Sequence, residues 1–221
     1  MCGRYTQKEK FDNLLKLLQV ARMPQLKPRY NVAPTQMVAC VRNAPENDYR
    51  ECTRLKWGLI PSWAKEASIG NTMINARGET VAEKPSFRKA FQLRRCLLLA
   101  DGFYEWKREG EHKHPYYIRF QDQRPFAFAG LWEQWPQTES RIESCTLITT
   151  NANALMTPIH HRMPVILAPQ DFDVWLDPAT QDPTLLMPLL SPYSSDEMEA
   201  YPVNTLVNNP QNDLPECVTP L

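Results

Sequence analysis

Apolar residues recur along the chain in two rhythms, and each predicts a different element. Phe11, Leu14, Leu15 and Leu18 stand at helical spacing behind Thr6-Gln7-Lys8-Glu9, which has the form of a capping box, so a helix is predicted over 7–19. Runs rich in β-branched and aromatic residues predict strands over 37–42, 54–60 (stopped by Pro61), 116–120, 126–132, 145–149 and 164–167. Cys96 to Ala100 predicts a buried strand that continues through 102–106. Short helices are predicted over 85–91, 152–156, 170–176 and 183–190. Strands outnumber helices and do not alternate with them. The expected class is therefore α+β, a curled antiparallel sheet or open β-barrel-like core with short flanking helices, and not a doubly wound nucleotide-binding fold.

Composition narrows the class. With 221 residues, 43% hydrophobic, the chain is expected to form a single domain over 1–221, its residues from about 209 a C-terminal tail. The longest apolar runs are too short to span a bilayer, and the N-terminus has no apolar signal core. No membrane association is expected; a cytoplasmic location is. Eleven of the 20 prolines lie after residue 157, which gives the last third many short connections.

Charge changes the picture only when divided. The total is zero, but residues 1–120 hold 22 Lys and Arg against 12 Asp and Glu, whereas 121–221 hold 3 against 13. Such asymmetry fits a phosphate-bearing partner at the basic part, or halves that neutralise each other across a common surface. The six cysteines, at 2, 40, 52, 96, 145 and 217, include no C-x-x-C pair, so neither a metal site nor a cofactor is expected. Cys40, Cys52, Cys96, Cys145 and Cys217 are assigned to packing or surface.

Cys2 is chemically distinct. Its small side chain favours removal of Met1, which leaves an α-amine and a thiol on adjacent carbons. The amine condenses with an aldehyde to an imine, and the thiol closes on the same carbon as a thiazolidine. An α-amine titrates at about 7.7–8.0 and is partly neutral at pH 7, whereas an unburied lysine, at about 10.4, is not. The dipeptide Cys2-Gly3 equally fits a frayed terminus, or an amide-cleaving hydrolase in which the thiol attacks and the amine serves as base.

Six ordered blocks carry a resemblance. They are Met-Cys-Gly-Arg-Tyr (1–5), Arg-Tyr-Asn-Val-Ala-Pro-Thr-Gln (29–36), Trp-Gly-Leu-Ile-Pro-Ser-Trp (57–63), Asn-Ala-Arg-Gly-Glu-Thr (75–80), Arg-Cys-Leu-Leu-Leu-Ala-Asp-Gly-Phe-Tyr-Glu-Trp (95–106) and His-His-Arg-Met-Pro-Val-Ile-Leu (160–167). Over residues 1 to about 208 the chain resembles the SOS-response-associated peptidase (SRAP) family, on its bacterial abasic-site processing branch. The resemblance implies a DNA-damage enzyme that shields abasic sites in single-stranded DNA by crosslinking Cys2 to the C1′ aldehyde. It also implies a possible lyase activity and a thiol autopeptidase activity. A monomer suffices for such capture, and nucleoid association is expected when DNA is bound.

Candidate residues follow. Strand alternation places Glu105 on the face of Leu97, Leu99 and Phe103, where burial would raise its pKa for acid–base work; the alternative is a structural carboxylate paired to an arginine. The resemblance implies that Glu105 opens the sugar ring, that Asn75 orients the Cys2 amine, and that His160 rather than His161 passes protons, since adjacent histidines point different ways. Candidate DNA contacts are Arg4, Arg77 and Arg162 to phosphates, Trp63 stacking on a base, and Thr149 in the floor of the site. Trp57, inside an apolar strand, is expected in the core. Two rival readings are an N-terminal-cysteine autopeptidase or amide hydrolase, and a non-covalent reader of modified bases.

Overall fold

The structure, a computed structural model, describes residues 2–45, 49–136 and 141–221; the expected removal of Met1 concerns a residue outside them. In chain order the elements are β1 (Arg4–Gln7), α1 (Asp12–Leu17), β2 (Val20–Arg22), β3 (Arg29–Val32), β4 (Met37–Asn43), β5 (Arg50–Trp57), β6 (Asn75–Arg77), α2 (Arg88–Leu93), β7 (Arg95–Ala100), β8 (Gly102–Glu109), β9 (His112–Phe120), β10 (Phe126–Trp135), β11 (Ile142–Asn151), β12 (Arg162–Pro164), β13 (Ile166–Leu167), α3 (Phe172–Leu176), α4 (Pro183–Leu186) and β14 (Met198–Pro202).

Five strands, β11-β10-β7-β4-β5, form a ring that closes where β5 meets β11 in parallel, Lys56 opposite Ser144 and Trp57 opposite Cys145. A second sheet, β14-β9-β8-β1-β3, shares a core with it: Val38, Cys40, Trp57, Leu98, Phe128 and Leu147 of the ring pack with Tyr5, Phe103 and Ile118. Alternate residues of the ring, Ala39, Val41, Leu97 and Leu99, face outward against Leu14, Phe91 and Trp175 of the short helices. The α+β expectation holds. Trp57 is in the core, its indole N–H donating to the Ile74 carbonyl at 2.9 Å.

Four expectations need correction. The helix predicted over 7–19 shrinks to Asp12–Leu17, because Thr6 is a strand residue. Its hydroxyl is committed to the Asp101 carboxylate and to Tyr117 (2.8 Å), and Asp101 Oδ2 accepts from the Lys8 and Glu9 N–H groups at 2.5 and 2.7 Å. A carboxylate distant in sequence thus fills the local cap's role. Second, 96–106 is not one strand: β7 belongs to the ring and β8 to the second sheet, with Asp101 at the corner. A Cβ at Gly102 would lie 2.1 Å from the Tyr117 hydroxyl, so glycine at the corner leaves room for the Tyr117 ring. The turn resets alternation, so Leu97 and Leu99 face the helices while Phe103 faces the interior. Third, β5 ends at Trp57, because Gly58 (φ +129°) redirects the chain before Leu59 and Ile60. Fourth, 152–156 is a series of turns, in which Asn153 Oδ1 accepts from the Met156 N–H at 3.0 Å.

The charge asymmetry is partly used inside the fold. Arg29–Asp213, Arg42–Glu143, Arg50–Asp173, Arg94–Glu133 and Arg119–Glu199 each join a base from 1–120 to an acid from 121–221. Among the described residues no helix is long and apolar enough to cross a membrane.

Candidate active site

The register Arg4↔Tyr104 between β1 and β8 brings the segment before Arg4 alongside Glu105. Cys2 is fully buried in the interior core, its thiol 3.6 Å from the Arg4 carbonyl. Burial, and after it the charge of Glu105, holds that thiol well above its ordinary pKa. Asn75, the first residue of β6, donates from Nδ2 to the Cys2 carbonyl at 3.0 Å. Asn75 Oδ1 is buried without a hydrogen-bond partner among the described residues.

Glu105 is 3% exposed, and burial pushes its carboxyl up to about 7. It reaches this position through Phe103's face of β8, so the inward direction expected for it is right although Leu97 and Leu99 lie elsewhere. It lines a cavity of about 780 Å³ together with His160, His161, Trp106, Arg108 and Lys113. The Arg162 N–H approaches His160 Nδ1 at 3.0 Å and the Arg162 carbonyl approaches the same nitrogen at 3.2 Å, two contacts of which a neutral ring makes one or the other. Burial lowers the His160 pKa, favouring that neutral form. The adjacent histidines do not diverge: their rings stack at 4.4 Å and 24°, and both line the cavity.

Arginines differ in how their charge is used. Arg162 is bidentate to Glu79, with Nη2 2.9 Å from Oε2, and also donates to Thr149 O (2.7 Å) and Asn151 Oδ1 (3.1 Å). Thr149, fully buried in β11, lies opposite Arg77 in register. Arg4 donates to Asn31 Oδ1 (3.0 Å), Val207 O (2.6 Å) and Asn208 O (3.3 Å). Arg77 is exposed, two residues along β6 from Asn75 and so on its face. Trp63, 58% exposed, stands outside the cavity on a loop pinned by Trp135 Nε1 to Ala64 O (2.8 Å).

Comparison with known proteins decides the relationship. A family model described as SOS response associated peptidase (SRAP) matches residues 1–210. The chain belongs to the SRAP family. Among its SRAP relatives, abasic site processing protein YoqW of Bacillus subtilis is 46% identical over 223 residues, covering 99% of each chain. Abasic site processing protein HMCES of Gallus gallus is 32% identical, covering 90% of this chain and 68% of its own. A crystal structure of a Bacteroides thetaiotaomicron protein has a TM-score of 0.84 at 28% identity, with full coverage of both chains.

In this SRAP chain the cavity wall includes residues that sequence reasoning passed over. Arg108 and Lys113 stand directly opposite one another across the β8–β9 hairpin, and both line the cavity. Like charges opposed across strands are unfavourable without an anion between them. Two basic residues flanking Glu109-Gly110-Glu111 were the available signal. Trp106, whose indole N–H donates to Asn208 Oδ1 at 2.7 Å, was visible only as a neighbour of Glu105. Among the described residues no group of three or more His, Cys, Asp or Glu could hold a metal ion.

Proposed function

We propose that the protein captures abasic sites in single-stranded DNA through Cys2, as a covalent thiazolidine. The observation that carries this reading is the Asn75–Cys2 hydrogen bond, which fixes the N-terminal residue next to a carboxyl titrating near neutrality. Abasic-site processing is the role named for YoqW and HMCES.

Once Met1 is removed, the neutral Cys2 amine attacks the C1′ aldehyde of the opened sugar. Protonated Glu105 donates to the ring oxygen during opening, takes up the proton that the C1′ hydroxyl loses as the aldehyde forms, and then donates to the carbinolamine hydroxyl, which leaves as water to give the imine. The Cys2 sulfur adds to the imine carbon while its proton passes to nitrogen. A thiol kept protonated by burial supplies both atoms, and no thiolate is needed. Neutral His160 relays between sugar oxygen and thiol. Asn75 Oδ1, a buried acceptor with no described partner, is suited to take an N–H of the Cys2 amine. Arg77, Arg108 and Lys113 face flanking phosphates and Arg4 holds the wall beside them, whereas Arg162, buried and committed to Glu79, Asn151 and Thr149, holds the wall and does not reach a phosphate as the sequence suggested. Trp63 offers a stacking surface for an unpaired base. Lyase activity would follow if the imine eliminated before ring closure, and autopeptidase activity if Cys2 attacked a peptide bond.

Intact mass spectrometry with single-stranded DNA tests the proposal. The expected product appears only with an abasic site, at the sum of the masses less one water. Cys2→Ala abolishes it, and Cys2→Ser gives a weaker, reversible adduct because an oxazolidine is less stable than a thiazolidine. An unmodified wild-type protein after long incubation would overturn the reading. Retained affinity for DNA with no adduct would favour a non-covalent reader instead.

A further inference from the structure

A second concave surface lies at the far end of β1. Gln7, the last residue of β1, lines it, and five residues of chain separate it from Cys2, a span of at most about 17 Å. The groove has a volume of about 570 Å³, and Lys27, Arg29 and Arg54 line it without any carboxylate among the lining side chains. Arg29 is neutralised by Asp213. Among the described residues neither Lys27 nor Arg54 pairs with an acid; Arg54 only donates to the Gln25 carbonyl at 2.7 Å.

Between these cations the surface is apolar. Met37 is 50% exposed, Leu26 is half-buried, and both line the groove. The β4–β5 register sets Met37 opposite Lys56 and Ala39 opposite Arg54, so apolar and cationic side chains alternate between neighbouring strands on one outer face. An apolar floor with a cationic rim matches a base joined to a phosphate.

The turn forming one wall is strained. Thr35, which lines the groove, has φ +72°, a left-handed region that a β-branched side chain avoids. Two bonds enforce it: Thr35 N–H to Trp57 O at 2.8 Å, and Trp57 N–H to Gln36 O at 2.9 Å. Strain of this kind concentrates at ligand clamps, and here it sits in the wall of a cationic groove with an exposed methionine.

We propose that this groove is a nucleoside-phosphate subsite, seating a base on Leu26 and Met37 and a phosphate between Lys27 and Arg54. Its position lets it hold a DNA strand that also reaches Cys2. This goes beyond the lesion-capture reading, because the groove needs no lesion and no cysteine.

The test uses Cys2→Ala protein and undamaged single-stranded DNA of about twelve nucleotides, within the range of single-strand site sizes. In anisotropy titrations, Lys27→Gln with Arg54→Gln should weaken binding about tenfold. The log–log salt slope should shrink by about 0.7 for each lost phosphate contact. Lys84→Gln, an exposed cation outside both the cavity and the groove, should change neither. The Met37 methyl resonance, read on protein with Lys27 and Arg54 intact, should shift with the oligonucleotide. A nucleoside monophosphate that shifts it equally identifies a free-nucleotide site of the same chemistry; a shift with the strand alone identifies a strand contact. With Cys2 restored, the double variant should slow adduct formation on a long abasic strand and not on an abasic trinucleotide. Absence of all adduct would sink the lesion-capture reading and leave the binding arm intact. Unchanged affinity and slope in the double variant, with an unmoved Met37 methyl, would overturn the groove.

Discussion

Glu105 combines near-complete burial with a pKa near 7, and this has two separable consequences. The folded chain binds a proton there that the unfolded chain, titrating near 4.5, has lost; stability therefore falls as pH rises from about 4.5 to 7. Glu105→Gln is expected to stabilise the fold by roughly 1–3 kcal/mol at pH 8 and to add none of this at pH 4, as thermal melts at the two values would show. The same variant should slow adduct formation by about a hundredfold and remove the limb of the pH–rate profile centred near 7. At His161, stacked on His160, alanine should slow capture while phenylalanine, which preserves the stack, restores it. Equal rates for the two variants would remove any positioning role. Glu105's inward direction was legible from alternation within β8. Its partners were not, because Cys2, Asn75 and His160 converge only through pairings between distant strands.

At the level of elements, one carboxylate organises the entry to the fold. Asp101 accepts from the Thr6 hydroxyl and from the Lys8 and Glu9 N–H groups, at the corner where β7 passes into β8. Asp101→Ala is expected to destabilise the protein by about 1–3 kcal/mol in urea unfolding, the range for stranding buried donors. Since β1 carries Cys2 to Glu105, the variant should also lower adduct yield below the unfolding transition. The capping box and the continuous 96–106 strand were misleading for one shared reason. Local pattern assigned to the helix a threonine that tertiary structure uses in a sheet, and read through a corner whose only marks were Asp101 and Gly102. Most strands were legible because apolar residues fill both faces of the ring or alternate on its edge.

For the molecule as a whole, the two ends of the chain are fastened to each other. Asn31 Nδ2 donates to the carbonyls of Val207, Asn209 and Asn212, Asp213 accepts from the Tyr30 and Asn31 N–H groups, and Cys217 is fully buried. Ending the chain at Pro210 should therefore lower the melting temperature by several degrees and weaken capture, because Arg4 and Trp106 bond to residues 207 and 208. Charge at this scale was only half legible. The +10 and −10 halves are real, yet five ion pairs between them consume part of the difference, and of the remaining cations only Arg108 and Lys113 line the cavity and Lys27 and Arg54 the groove. Ring closure was not legible at all, since the parallel β5–β11 contact joins strands nearly 90 residues apart.

That contact has a further consequence. β5 leaves β11 at Cys145, and β6 rejoins the same strand at Leu147, with Leu59 N–H bonded to Met73 O at 3.1 Å across the neck. Residues 58–74 therefore leave and rejoin one rail at two neighbouring points, with Leu59, Ile60 and Ala64 anchored in the core and the stretch around Trp63 exposed. Doubling such a loop costs only about 0.6 kcal/mol in closure. Exchange of the exposed Trp63, or insertion beyond the buried Ala64, thus alters what the surface grips, while the register that holds Asn75 against Cys2 stays where β11 sets it.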